Sequence, residues 1–221
     1  MTRAAPAWVA ALVAAALGAQ LAWHAGLRRP SVRAEELPPA PRAAALRLAS
    51  FGEAPAASRL TMLYLQAFDL RTLDYSRLIA WLRALLELDP RGPYPLFTAA
   101  RVYAEIPDPA RSRLMLEFVY QQFLLDPNRR WPWLAHAALL AKHRLHDLPL
   151  ARRYAAAIDR HTTAPDVPLW ARQMEIFILE DMNEIEAARI MLGGLLASGK
   201  ITDPAEAAFL KQRLEELDRR R

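Results

Sequence analysis

The sequence predicts an all-α protein: about four stacked helical hairpins with a capping helix at the C-terminus, preceded by one transmembrane helix. Three observations predict it. Ala and Leu dominate the apolar residues while Val, Ile and Thr are sparse, which favours helix because Ala and Leu lose little freedom on entering one. With 7 Gly against 17 Pro, the chain is too glycine-poor for a turn-dense β protein, and its prolines mark breaks between helices. Finally, the chain is self-similar at a period of 37 residues, as in Asp89-Pro90 and Asp126-Pro127.

Residues 1–6 form a short tail carrying Arg3. From Ala7 to Leu27 about twenty residues run without a formal charge before Arg28-Arg29. At ~1.5 Å per residue that length crosses a hydrocarbon core, and Trp8 and Trp23 stand near its ends, where indoles prefer the interface. A cleavable signal peptide would use Ala16-Leu17-Gly18, which lies inside the apolar run; a surface helix would need a polar face, and there is none. An uncleaved, single-pass anchor in a bacterial inner membrane is the expectation. Arg28, Arg29 and Arg33 against Arg3 lean toward a cytoplasmic C-terminal domain, and the side of the membrane stays open.

Residues 28–56 hold Pro30, Pro38, Pro39, Pro41 and Pro55 among Ala, Arg and Glu, and read as an extended tether with a short helix over 43–49. Residues 57–221 then make the repeat domain. Apolar stretches at helical spacing predict helix pairs over 57–70 and 74–88, 93–105 and 109–125, 131–145 and 148–160, and 167–181 and 183–197. A last helix starts at Pro204, with Asp203 as its N-cap and Glu206 three residues on; Asp108-Pro109 opens an earlier helix the same way.

The period places residues in columns. Leu96, Trp133 and Trp170 are each 37 apart, and Tyr103, Leu140 and Phe177 follow seven residues after each. Trp81, Phe118, Ala155 and Leu192 make another column, and Leu114, Ala151 and Ala188 a third. Alternating large and small apolar columns are what stacked hairpins need, because each buries a face against the next.

Trp133…Leu140…Ala151…Ala155 and Trp170…Phe177…Ala188…Leu192, with Asp89-Pro90 and Asp126-Pro127 as terminal prolines, resemble degenerate tetratricopeptide repeats over roughly 57–198. The period is 37 rather than the usual 34, and Met174 stands where that family has a small residue. The resemblance implies a right-handed solenoid of helical hairpins that presents a surface to a protein or peptide partner.

Composition narrows the function classes. The 221 residues contain no cysteine, which excludes disulfides, thiolate metal sites and a cysteine nucleophile. The net charge of +5 comes mostly from Arg in the first fifty residues, a net of +4, so nucleic-acid binding gains little from it. Only three of the 29 basic residues are Lys, and with abundant Ala and Pro this suits a G+C-rich bacterial gene.

Few residues suggest chemistry. His136 and His143 share a helix face at a spacing of seven, with His146-Asp147 beyond them, a pattern that suits zinc or proton transfer. No second helix supplies a third ligand, so neither metal nor cofactor is expected. No Gly-x-Ser-x-Gly or phosphate loop is present. Glu175, Glu180-Asp181, Glu184 and Glu186 allow a glycosidase-like carboxylate pair to be drawn, so a cell-wall-acting enzyme is one alternative; a self-associating structural protein is another. A charge run beside a helix turn is usually a solvated surface, and no catalytic residue is assigned.

Binding is better supported. Residues 127–160 are net +5 and residues 166–186 net −5, either because neighbouring units pair or because they wall a groove. Asn128-Arg129-Arg130-Trp131-Pro132-Trp133 sets two Arg beside two Trp at a repeat junction, as in a contact hot spot. The expected partner-binding residues are Arg129, Arg130, Trp131, His136, His143 and Glu175.

Overall fold

The computed structural model describes residues 7–26, 36–199 and 201–219. The chain divides into two compact units, 1–35 and 36–221, and every element among the described residues is helical.

The first unit contains α1 (Ala7–Gly26), twenty residues without a charge. Trp8, Leu12, Val13 and Leu17 are exposed along it. The expected membrane span is matched in length and lack of charge but not in apolarity: among the described residues, no helix is long and apolar enough to cross a membrane. Nine of the twenty residues are Ala, and Gln20 and His24 dilute the rest. Arg3, Arg28, Arg29, Arg33 and the Trp23 side chain lie outside the described residues.

The second unit runs through α2 (Ala43–Ala49), α3 (Ala54–Gln66), α4 (Tyr75–Leu88), α5 (Tyr94–Arg101), α6 (Pro109–Leu125), α7 (Pro127–His143), α8 (Leu148–His161), α9 (Leu169–Asp181), α10 (Ile185–Ala197) and α11 (Pro204–Arg219). Its helix starts are written in Asp and Pro. The Asp74 carboxylate accepts from the Ser76 and Arg77 N–H groups, Asp108 from Ala110 and Arg111, and Asp203 from Ala205 at 2.8 Å. Each satisfies donors that the first turn leaves unpaired. Asp89 acts differently, accepting from the Gly92 N–H at 3.1 Å to fold the turn between α4 and α5. A Cβ on Gly92 would sit 2.6 Å from that carboxylate, so a larger residue there would displace the Asp89 side chain from the turn.

Three boundaries depart from the sequence reading. The folded unit begins at Glu36, inside the segment read as a tether: Leu37 is buried, its carbonyl accepts from Arg77 Nη1 at 2.8 Å, and the Pro38 carbonyl accepts from Trp81 Nε1 at 2.8 Å. The helix predicted over 93–105 stops at Arg101, and Tyr103–Glu105 form a 3-10 turn, with the Tyr75 hydroxyl donating to the Tyr103 carbonyl at 2.8 Å. The helix predicted from 131 begins instead at Pro127 and runs through Pro132. Pro132 lies early in α7, where its missing N–H removes one intrahelical bond.

Consecutive helices touch from α2 to α11, and α3, α5, α7 and α9 also touch in series. Side-chain bonds span the same interval: Asn128 to Thr163, Arg113 to Asp147 and Arg153 to Glu117 join residues 34 to 36 apart. One column, Trp81, Phe118, Ala155 and Leu192, is buried throughout. Leu114 breaks another, being half exposed where Ala151 and Ala188 are buried. The core falls into a large cluster from Leu37 to Ile178 and a small one of Ile176, Leu179, Ala188, Leu192, Leu210 and Leu217.

Candidate functional site

The six residues singled out from sequence divide into structural ties and surface groups. Arg129 is exposed and pairs with Asp126 one turn away at 3.4 Å, a contact worth at most about 1 kcal/mol. Arg130 is buried. Its Nη1 donates to the Gln122 carbonyl (2.8 Å) and Oε1 (3.1 Å), and its Nη2 to the Pro90 carbonyl (3.2 Å). Burial pulls its pKa below the usual arginine value, and the nearby Asp126 carboxylate opposes the shift. Arg130 thus holds the first turns of α7 to α6 and to the Asp89-Pro90 turn, on the wall of a cleft of about 620 Å³ also lined by Arg83, Glu87 and Leu125.

His136 sits between two charged residues of the preceding hairpin. Its Nδ1 lies 3.0 Å from Arg101 Nη1 and its Nε2 3.0 Å from Glu105 Oε1. A guanidinium only donates, so Nδ1 accepts and Nε2 carries the proton that Glu105 receives. His136 thus latches α7 to α5 and the 3-10 turn. His143 is exposed in the last turn of α7, and His146 has left the helix with φ 50°. The histidines do not converge, and no group of three metal-ligating side chains occurs among the described residues.

The acidic run is largely engaged. Glu175 is buried and accepts from Arg152 Nε at 3.0 Å, Asp181 pairs with Lys142 at 2.5 Å, and buried Glu180 pairs with Arg213. Arg213 also holds Glu216 at 2.6 Å, and Arg189 holds Glu186 at 2.6 Å. Of the two readings of the charge segregation, these contacts favour pairing: α7 and α8 supply the cations, α9 the carboxylates. Glu175, Glu180, Asp181 and Glu186 are each tied to an arginine or lysine, while Glu184 is exposed at the start of α10.

The structure assembles a surface only partly legible from the column pattern, a row of aromatic rings at the N-terminal ends of α5, α7 and α9. Tyr94 stacks on Phe97 (6.4 Å between centroids), Phe97 meets Trp133 edge-to-face (5.8 Å), and Trp131 meets Trp170 edge-to-face (5.5 Å). Trp131 and Trp133 lie two positions apart on α7 and so turn toward opposite neighbours. Tyr94, Phe97 and Trp170 remain exposed and the two α7 indoles half-buried. Beside the row, Gln66, Leu70, Tyr94, Phe97, Thr98 and Tyr103 line a cavity of about 320 Å³. Gln66 Nε2 donates to the Tyr94 hydroxyl at 2.5 Å. The Tyr103 hydroxyl is buried without a partner, and burial pushes its pKa up to about 12, so it stays a protonated donor. The Leu96–Trp133–Trp170 column carried part of this signal. Tyr94 and Phe97 escaped notice because they flank the column rather than fill it.

The chain matches no protein-family model, no curated protein and no solved structure.

Proposed function

We propose that the second unit is a tetratricopeptide-like, right-handed solenoid that binds a protein or peptide partner, and that α1 tethers it to a bacterial inner membrane as part of an envelope assembly. The aromatic row carries this reading. Rigid rings exposed along successive hairpins give large contact area at low entropic cost, and aromatics are the residues most enriched where binding energy concentrates. The neighbouring cavity, lined by Gln66, Leu70, Tyr94 and Phe97, adds a recess beside the rings. The series α3, α5, α7, α9 supports the stacked-hairpin geometry, and the absence of charge along α1 supports the tether.

Trp131 belongs to this surface and Arg129 lies beside it, whereas His143, in the last turn of α7, lies at the other end of that helix. Arg130, His136 and Glu175 act behind it, holding the hairpins in register. The test is photocrosslinking in membranes of the native host, with a benzophenone amino acid in place of Phe97 or Trp170. Discrete adducts at both positions, and none at exposed Leu125, are the expected result. Equal labelling at all three, or none, rejects the aromatic row as the binding surface.

A further inference from the structure

The α2–α3 corner carries features that the fold does not use. Phe51 ends α2 in the left-handed region, φ 52°, with the Gly52 N–H bonded back to the Arg47 carbonyl at 3.1 Å. This is the position at which helices usually place glycine, because a side chain there crowds the following carbonyl. The other two non-glycine residues with positive φ among the described residues, His146 and Asn183, also follow helix ends, and both are types that tolerate the conformation. A phenylalanine does so at a cost, and here its ring recovers nothing from packing, being 97% exposed. Leu48, one turn earlier, is 80% exposed.

The outer face of α3 continues the pattern. Ser58, Met62 and Leu65 are buried, whereas Ala56, Leu60, Leu63 and Ala67, at spacings of four, three and four, lie on the opposite face and are exposed, Leu60 at 67% and Leu63 at 59%. The charges nearby are mainly basic: Arg42, Arg47 and Arg59 are exposed, against Glu53. An apolar edge flanked by arginines is the chemistry of a surface that rests on anionic lipid, with the rings and leucines in the headgroup boundary and the guanidiniums among phosphates. Chain connectivity agrees with this occupant. Nine residues, 27–35, separate the last residue of α1 from Glu36, a reach of at most about 35 Å even fully extended.

We infer that the corner formed by Leu48, Phe51, Leu60 and Leu63 is a second membrane contact, which lays the first hairpin on an anionic bilayer surface. The inference rests on the membrane tether proposed above. It gives the strained Phe51 a purpose and fixes the orientation in which the rest of the domain meets a partner.

The absence of cysteine makes the test direct, since each introduced thiol is unique. Full-length variants Leu12→Cys, Phe51→Cys, Leu60→Cys and Leu125→Cys are spin-labelled and reconstituted in vesicles of phosphatidylcholine with or without one part phosphatidylglycerol in three. Collision with oxygen is compared with collision with a water-soluble nickel chelate. The expected result is a severalfold higher oxygen-to-nickel ratio at 51 and 60 than at 125, larger in the anionic vesicles, with 12 embedded in both. A lipid-exposed label at 12 with water-like labels at 51 and 60 overturns the second contact and leaves the tether standing. A water-exposed label at 12 overturns both. Concentration-dependent dipolar broadening at 51 or 60, removed by dilution with unlabelled protein, shows a second copy on the corner and also overturns the inference. Two corner sites, each checked by circular dichroism for retained helix, guard against a local fault.

Discussion

The two hydrophobic clusters of the folded unit are built from the same kind of helix and differ in what they enclose. The large cluster buries Tyr103, Phe118, Phe123 and Tyr154 completely, with aliphatic residues from α3 to α9 around them. The small one, shared by α9, α10 and α11, closes on six residues, none aromatic, and α10 and α11 bury only two side chains each. Gly193 and Gly194 lie inside α10, where added Cβ atoms would meet nothing within 4 Å, so packing does not require them. Stability in a stack of helical units is roughly the sum of each unit and its contacts with its neighbours. The comparison therefore predicts a molecule that opens from its C-terminal end, with the row from α5 to α9 resting on the part that stays closed.

The largest expected effect tests the strong side. Phe118→Ala removes a fully buried ring from the invariably buried column and should cost about 3–5 kcal/mol, read as a fall in the urea midpoint of the whole domain. Alkaline pH should also weaken this side. Burial raises Tyr75, Tyr103 and Tyr154 from an ordinary 10.0 to about 12. Below pH 10 both folded and unfolded chains keep these protons; between pH 10 and 12 only the folded chain does. Stability must therefore fall as pH rises through that window, by up to about 2 kcal/mol per tyrosine. Residues 169–219 contain no tyrosine, so their contacts should not share this loss. Denaturation at pH 8 and 11, alongside tyrosinate absorbance at 295 nm as the observable, decides it; an unchanged core at pH 11 contradicts the burial.

Leu210→Ala tests the weak side. It should cost about 2 kcal/mol, and the cost should appear as faster amide exchange in α10 and α11 while α4 to α8 keep their protection. Uniform loss of protection would show the two clusters to be one cooperative unit. The smallest effect runs the other way: Gly193→Ala and Gly194→Ala should each stabilise α10 by about 0.5–1 kcal/mol, slowing exchange there and nowhere else.

Sequence legibility followed the same division between local and distant causes. Helix starts at Asp108-Pro109 and Asp203-Pro204 were readable because a cap acts on the next three residues. The same Asp-Pro signal at 126–127 was read as the end of a unit with the next helix starting at 131, whereas α7 begins at Pro127 and tolerates Pro132 in its second turn. The tether was set too long because proline counts conceal Leu37, whose burial depends on α4 forty residues away. Arg130 and His136 were read from sequence as outward, partner-binding residues. What turned them inward is a set of carbonyls and charges on α5, α6 and the 89–92 turn that no local pattern displays.

The Trp131–Trp170 pair gives the molecule an optical gauge of its own. Two indoles at 5.5 Å, their planes inclined by 74°, couple their excited states and produce a split circular-dichroism band that vanishes when they part. One ring belongs to α7 and the other to α9, the helix that contributes to both clusters. Fraying of α10 and α11 alone would leave the couplet intact, whereas departure of α9 would erase it. An unlabelled sample thus reports how far any opening has travelled along the stack.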